Sequence, residues 1–292
     1  MPDDLPFRRV AILGTGLIGA SFGLALRENF PQISIAAYDR PEVLRQITEC
    51  GWKWEIAREL SEAVSEADLI YIALPIGAAM EALPSIAAKC SSQALVTDAG
   101  STKGEICRMA ETLFRGHARF LGGHPITGKE VSGLKNAHAT LFHGARYALI
   151  GAEREQDDRV ARFVSLLSAI GAEPIWCDAD THDWALAVVS QMPQLVVLAL
   201  ARVISDETDE TGLPIAFAGR GLRDLLRIAG SPYEIWRDIC LTNTENISRS
   251  LDRVVQAIDF LRTRLTSREL EQEFLAANDL YKSLHSTHRN LQ

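Results

Sequence analysis

The feature that most constrains this fold is a glycine-rich turn near the start of the chain. The turn has the sequence Gly14-Thr15-Gly16-Leu17-Ile18-Gly19, and it lies between the apolar run Val10–Leu13 and a helical stretch. In such a turn Gly14 permits a tight bend, Gly16 lets the backbone approach a pyrophosphate, and Gly19 lets the helix pack closely on the strand. Free amide groups at the positive end of the helix favour an anion. The turn therefore predicts a βαβ unit that binds a dinucleotide.

An acidic residue at the end of the next strand indicates which dinucleotide binds. Asp39 lies twenty positions after Gly19 and follows the predicted strand Ile33–Tyr38. A carboxylate at this point accepts hydrogen bonds from the ribose hydroxyls and repels a 2′-phosphate, which favours NAD. The neighbouring Arg40 leaves NADP open, because a guanidinium binds phosphate. The predicted cofactor-binding residues are Gly14, Gly16, Leu17, Ile18, Gly19, Asp39, Arg40, Leu74 and Pro75.

Short β-branched runs alternate with helical patterns through the first 178 residues. The predicted strands are Val10–Leu13, Ile33–Tyr38, Leu69–Ala73, Ala94–Asp98, Phe120–Gly122, Tyr147–Gly151 and Glu173–Cys177. Helix-sized connections between strands produce a parallel sheet. Strand patterns stop after Asp178, and 292 residues suffice for two domains. The prediction is an α/β chain with a Rossmann-type, mainly parallel sheet in residues 1–178 and an all-helical domain in residues 179–292.

Two helical patterns stand out in the second domain. Thr181 or Asp183 is expected to cap a helix that runs to about Ser205 and is kinked at Pro193. Farther along, one apolar stripe consists of Ile247, Leu251, Val254, Ile258, Leu261 and Leu265. The stripe is interpreted either as part of the chain's own core or as a helical dimer interface. A capping box at 266–269 then predicts that a helix restarts.

Composition excludes several classes of protein. The formal net charge of −8 gives no positive field that would attract nucleic acid. The five cysteines are scattered and form no C-x-x-C pair, which favours a reducing compartment and no metal site. The amino terminus carries acid where a signal peptide carries base, and the apolar window 185–201 is interrupted by polar residues. We therefore expect a cytoplasmic protein that binds no membrane.

Three further segments cannot be explained by the fold alone. They are Thr97-Asp98-Ala99-Gly100-Ser101-Thr102-Lys103-Gly104, Gly122-Gly123-His124-Pro125-Ile126-Thr127-Gly128-Lys129, and the stretch from Gly219 to Ile239. Together with the glycine turn, they resemble prephenate dehydrogenases and the closely similar arogenate and cyclohexadienyl dehydrogenases, over nearly the whole chain. The resemblance implies a Rossmann domain followed by a helical domain that forms a homodimer.

The resemblance also implies a reaction and residues for it. Prephenate is oxidised and decarboxylated to 4-hydroxyphenylpyruvate, with hydride transfer to NAD, on the route to tyrosine; arogenate or dual specificity is the alternative. His124 occupies the family's G-G-H-P position and would take the hydroxyl proton, since a neutral imidazole suits that task. Ser101 would bind the same hydroxyl or His124, or else cap the following helix. Arg227 matches the family's carboxylate-binding arginine, with Asp224 and Trp236 near the pocket.

Two departures from the family pattern concern the substrate's side chain. Many relatives have S-H-x-P-H where this chain has Ser190-Gln191-Met192-Pro193-Gln194, so the second histidine is Gln194 here. Lys129 stands where a small hydroxyl residue is common. We hypothesise that its ammonium supplies the positive charge that Gln194 lacks.

Two other interpretations remain open. A β-hydroxyacid dehydrogenase shares the fold but would use a catalytic lysine in the helical domain, where only Lys282 is found. A nucleotide sensor without catalysis would fit the glutamines at 191 and 194. The remaining histidines are expected to be surface or capping residues without a metal: His117, His138, His143, His182, His285 and His288.

Overall fold

The first domain is an eight-stranded sheet with helices on both faces. The computed structural model describes residues 5–127, 133–151, 156–208 and 211–289, with the side chains of the last helix described through residue 285. The strands are β1 (Arg9–Leu13), β2 (Ser34–Tyr38), β3 (Glu55–Ile56), β4 (Leu69–Ile72), β5 (Leu95–Asp98), β6 (Arg119–Pro125), β7 (Arg146–Ile150) and β8 (Glu173–Cys177).

Thirteen α-helices occur in the described residues, seven of them after the sheet. They are α1 (Leu17–Asn29), α2 (Pro41–Glu49), α3 (Leu60–Val64), α4 (Ile76–Lys89), α5 (Gly104–Leu113), α6 (Asp158–Ala169), α7 (Ala179–Leu186), α8 (Met192–Glu207), α9 (Leu213–Ala216), α10 (Arg220–Leu226), α11 (Tyr233–Thr242), α12 (Thr244–Thr263) and α13 (Leu270–Arg289). Short 3-10 turns lie at Leu134–Asn136, Ala139–Phe142 and Ile228–Gly230, and a π-helical turn at Ala187–Gln191.

The strand order indicates where a ligand would bind to the sheet. The order is β3-β2-β1-β4-β5-β6-β7-β8, and every pair is parallel except β6 with β7. The direction of winding reverses between β1 and β4. In open α/β sheets ligands bind beyond the carboxyl ends of the strands at such a reversal. The predicted Rossmann-type, mainly parallel sheet is confirmed; only the two-residue edge strand β3 was missed.

The core lies on both faces of the sheet, because successive side chains of a strand point to opposite sides. In β1, Val10 and Ile12 pack into one buried cluster and Ala11 and Leu13 into the other. The central strands therefore have continuous apolar runs, as strands covered on both faces require. This packing fixes the carboxyl ends of β1, β4, β5 and β6, which carry the site.

The helix after the sheet begins and continues differently from the prediction. Asp178 caps α7, since its carboxylate accepts the backbone N–H of Thr181 at 2.8 Å. Neither Thr181 nor Asp183 is the cap, so that prediction was wrong. Helix α7 passes through the π-helical turn into α8, and Pro193 lies in the first turn of α8, where it needs no amide partner.

By length and composition alone, the run Ala179–Glu207 could cross a membrane, and 22% of its most apolar window is buried.

The apolar stripe of the tail divides into two parts. Ile247 is buried and Leu251 packs against the same apolar cluster, whereas Ile258 and Leu265 are 55% and 70% exposed. The first part of the stripe thus belongs to the chain's own core, and the second part is exposed in the part of the chain that the structure describes. The predicted restart of a helix is confirmed, but α13 begins at Leu270, and Ser267 Oγ accepts the backbone N–H of Glu269.

Candidate active site

The glycine turn connects β1 to α1 as predicted. Gly14 has φ of +89°, a conformation that favours glycine, and its amide donates to Tyr38 O at 2.9 Å. A Cβ atom on Gly19 would overlap the carbonyl oxygen of Gly14. At Gly16 a Cβ atom would meet no atom within 4 Å, and no side chain caps α1. The first amides of α1 are therefore open to an anion, as a pyrophosphate requires.

Asp39 lies beside this turn at the end of β2. Its Oδ2 accepts the Thr15 amide at 2.6 Å and the Thr15 hydroxyl at 3.0 Å, and its Oδ1 accepts the amide of Arg40. The carboxylate thus holds the turn in place before any ligand binds. The side chain of Arg40 is exposed, and Leu74 and Pro75 follow β4 at the same edge, next to the start of α4.

His124 lies near the carboxyl end of β6, opposite Ala148 of β7 in the antiparallel pair. Its side chain is buried, and its Nδ1 lies 2.9 Å from Nε2 of His182, which comes from α7. His182 is only 2% exposed, and its Nδ1 lies 2.8 Å from Asp183 Oδ1. The prediction that His182 is a surface or capping residue was therefore wrong. The two domains meet through these rings.

The row of contacts from His124 through His182 ends at Asp183, which binds the start of α5. Its Oδ1 accepts the amide of Lys103 at 2.7 Å, and its Oδ2 accepts the amide of Gly104 at 2.8 Å. Asp183 thus supplies the cap for α5 that had been considered for Ser101, so this alternative role of Ser101 was wrong. Among the described residues the Ser101 hydroxyl has no hydrogen-bond partner, and it lies in the turn that leads from β5 to α5. It is therefore free to bind a ligand.

A buried ion pair lies beneath the turn that carries Ser101. Lys103 Nζ bonds to Asp98 at the end of β5, and both side chains are buried. The same ammonium donates to Gly123 O at 2.8 Å, and Asp98 accepts the amides of Gly100 and Gly123. The pair therefore joins β5, β6 and the turn between β5 and α5 into one rigid support directly before His124.

The two glutamines that replace histidines of the family motif are both buried. Gln191 lies in the π-helical turn, and its Oε1 accepts from Asn243 Nδ2 at 2.7 Å. Gln194 Nε2 donates to Ile228 O at 2.9 Å, directly after Arg227. Gln194 therefore holds the turn that carries Arg227, a packing role that a glutamine amide can fill without charge.

The predicted substrate-binding residues fall into three groups. Trp236 of α11 packs on the apolar cluster that includes Ile76, the first residue of α4. Asp224 lies in α10 and Arg227 directly after it, and both side chains are exposed. Lys129 lies outside the described residues. That Arg227 and Lys129 face the same pocket as His124 stays a prediction.

The electrostatic surroundings of His124 favour its neutral form. Burial lowers its pKa well below the usual 6.5, and His182 and the Lys103 ammonium lower it further. A neutral buried imidazole accepts a proton at neutral pH. No group of three or more His, Cys, Asp or Glu residues in the described part of the chain is arranged to hold a metal ion. The neutral imidazole suits the site to acid–base chemistry at the same sheet edge as the glycine turn.

A Rossmann-type domain with an open glycine turn, a buried imidazole at the same sheet edge and a helical second domain define a dinucleotide-dependent oxidoreductase. Two family models match the chain. The model for the nucleotide-binding domain of prephenate dehydrogenase matches residues 22–176, and the model for its dimerization domain matches residues 178–278. The chain belongs to the prephenate dehydrogenase family.

Individual relatives agree with this assignment. Prephenate dehydrogenase from Lactococcus lactis is 34% identical over 90% of this chain and 72% of its own length. The enzyme of the same name from Bacillus subtilis is 30% identical over 91% of this chain and 72% of its own length. The crystal structure of prephenate dehydrogenase from A. aeolicus with hydroxyphenyl propionate and NAD+ has a TM-score of 0.85 at 27% identity and covers 96% of this chain and 98% of that one.

Sequence reasoning missed three residues that shape the site: His182, Asp183 as the partner of His182, and Lys103. The sequence carried one signal for the lysine, because Lys103 lies in the same motif as Ser101. No local signal marked His182, since its contact with His124 joins residues 58 positions apart.

Proposed function

We propose that this protein oxidises and decarboxylates prephenate to 4-hydroxyphenylpyruvate with NAD as the hydride acceptor. The single observation that carries the proposal is the burial of His124 at the carboxyl edge of the sheet, which lowers the pKa of its ring, in a chain that belongs to this family. A neutral imidazole is the group that removal of the substrate's hydroxyl proton needs.

The residues of the glycine turn would hold NAD. Its pyrophosphate would lie against Gly16 and the first amides of α1, where a Cβ atom would meet nothing and no side chain caps the helix. Asp39 has the position from which a carboxylate accepts bonds from the adenosine ribose. When bound, NAD supplies the acceptor for a hydride. The A. aeolicus relative has NAD+ in its structure.

In this mechanism His124 acts at the substrate's C4 hydroxyl. The O–H bond breaks and its proton passes to His124, while C4 becomes a carbonyl carbon by losing hydride. The C1–carboxylate bond then breaks and CO2 leaves. The electron pair of that bond makes the ring aromatic and leaves the C4 oxygen as a phenolate, which takes the proton back from His124 to become the phenol. Ser101, whose hydroxyl has no hydrogen-bond partner among the described residues, would bind the same oxygen and orient it. The protein therefore contributes orientation and one proton acceptor.

A dianionic substrate also needs cationic partners. Arg227 would bind a substrate carboxylate through two parallel hydrogen bonds. Gln194 would set the position of Arg227 through its bond to Ile228 O, and Asp224 would orient the guanidinium. Lys129 would supply a second positive charge near the pyruvyl carboxylate. Trp236 would pack near the ring, supported by its contact with the cluster at the start of α4.

Assembly, location and domain limits belong to the same proposal. We infer a homodimer through the C-terminal helices, supported by the dimerization-domain match and by the exposed Ile258 and Leu265. The five cysteines are free thiols, which is typical of a reducing compartment such as the cytoplasm. The limit between the domains is placed at residue 178, because β8 ends at Cys177 and α7 begins at Ala179.

A direct assay tests the proposed reaction. Purified protein is mixed with NAD and either prephenate or arogenate, and NADH absorbance and released CO2 are measured together. We expect one CO2 for each NADH with prephenate. Turnover of arogenate alone would change the substrate but keep the reaction class, and the absence of NADH with both would refute the proposal.

A further inference from the structure

The hydrogen bonds behind His124 fix which of its nitrogens carries a proton. Asp183 Oδ1 already accepts the Lys103 amide, and an ionised carboxylate has no proton to donate. The contact of 2.8 Å between Asp183 Oδ1 and His182 Nδ1 therefore places a proton on His182 Nδ1. In a neutral His182, Nε2 then carries a lone pair.

The same reasoning extends to the second contact. His124 Nδ1 lies 2.9 Å from His182 Nε2, so one of the two nitrogens must donate. Since His182 Nε2 holds a lone pair, His124 Nδ1 is the donor. The other nitrogen of His124, Nε2, is left with its lone pair. That tautomer is the one in which Nε2 can act as a base.

Asp183 is held in place independently of the histidines. Its two carboxylate oxygens accept amides of Lys103 and Gly104 at the positive end of α5, which stabilises the anion. Its backbone carbonyl accepts from Asn243 Nδ2 at 2.8 Å, and that amide also donates to Gln191. Helices of both domains thus fix the carboxylate, so its orientation is set before substrate binds.

We propose that His182, oriented by Asp183, is a positioning residue for the reaction: it accepts the Nδ1–H of His124 and so holds Nε2 of His124 free to take the substrate's proton. This inference rests on the proposed role of His124 as the base. It adds a residue from the helical domain to the function of a residue in the nucleotide-binding domain. Correct docking of the two domains then becomes a condition for an active base.

The contact between the two rings can be kept after the substrate's proton has been removed. Once Nε2 of His124 has taken the proton, the ring is a cation whose Nδ1–H still points at His182 Nε2. A hydrogen bond from a charged donor is shorter and stronger than one from a neutral donor. The contact with His182 Nε2 therefore persists after the proton transfer, so the ring of His124 keeps its orientation.

Nitrogen NMR of histidine side chains tests the tautomer without turnover. The protein is labelled with 15N-histidine, recorded at a pH of about 8, where unperturbed imidazole is neutral, and the His124 signals are identified by their loss in His124→Asn. We expect a protonated Nδ1 and a bare Nε2 at His124. A protonated Nε2 with a bare Nδ1 would overturn the proposal even if prephenate is oxidised.

Two variants of His182 test the consequence for rate. His182→Leu removes the acceptor, and we expect kcat to fall about tenfold or more, with the dissociation constant for NAD unchanged. His182→Gln keeps an acceptor oxygen near the position of Nε2, and we expect it to recover most of kcat. Unchanged kcat in the leucine variant, or loss in the glutamine variant as deep as in the leucine variant, would contradict the proposal. Lack of prephenate turnover in the unaltered protein would instead refute the proposed function.

Discussion

Gly16 and Gly19 of the glycine turn are glycine for different physical reasons. Gly19 packs so closely on Gly14 that a Cβ atom would overlap its carbonyl, whereas Gly16 faces open space. We expect Gly16→Ala to raise the KM for NAD without lowering the thermal unfolding temperature, because the methyl group intrudes only where the pyrophosphate lies. Gly19→Ala, the matched control, should lower that temperature. Equal unfolding temperatures for both variants would contradict this account.

The lowered pKa of His124 predicts the pH dependence of the rate. Burial, His182 and the Lys103 ammonium all lower the pKa of His124. The ring therefore stays neutral when the pH falls to 6.5, the ordinary pKa of a histidine. A neutral base is the active form, so kcat/KM should stay level as pH falls to 6.5 and decline only below it. At that pH more than half of the plateau should remain. A decline with a midpoint above 6.5 would contradict the lowered pKa.

The residues of the site differed in how far sequence could predict them. The glycine turn and Asp39 are local features, so their positions follow from spacing alone. His124 was found through its motif. His182 was missed because its role depends on a contact between two domains. For the same reason sequence did not show that Asp183, and not Ser101, caps α5. Contacts between distant segments leave no periodic trace in the sequence.

At the scale of secondary-structure elements, one buried ion pair joins β5, β6 and the turn before α5. We expect Lys103→Met to destabilise the protein by about 3–5 kcal/mol, because Asp98 is left as a buried unpaired charge. Urea unfolding measures this change. Arg45→Ala removes the exposed pair with Glu42 and serves as the control, which should change stability little. A small effect of the Lys103 change would show that Asp98 is not held as an anion.

Elements of the sheet were predictable because buried parallel strands are continuous apolar runs. Seven of the eight strands were expected within a few residues of their observed bounds. The edge strand β3 has only two residues, Glu55 and Ile56, too few for a pattern. The π-helical turn at Ala187–Gln191 was not expected, since Pro193 alone predicts a kink and not an inserted residue.

At the scale of the whole molecule, apolar side chains of the C-terminal helices remain uncovered in one chain. Ile258 and Leu265 are 55% and 70% exposed. We expect the double change Ile258→Glu with Leu265→Glu to convert a dimer into monomers in sedimentation velocity, because burying carboxylates opposes association. Ile175→Glu on β8 is the control and should leave the sedimentation unchanged. A dimer that survives the double change would place the interface elsewhere.

In the proposed reaction, an imidazole of the nucleotide-binding domain and a guanidinium of the helical domain act on one substrate. Steady-state kinetics of His124→Asn and Arg227→Gln with prephenate and NAD test it most directly. We expect His124→Asn to lower kcat by about 10²–10⁴-fold, with little change in the KM for prephenate. Arg227→Gln should raise the KM for prephenate, with the KM for NAD unchanged. Near-normal kcat in His124→Asn, or an unchanged prephenate KM in Arg227→Gln, would contradict the account.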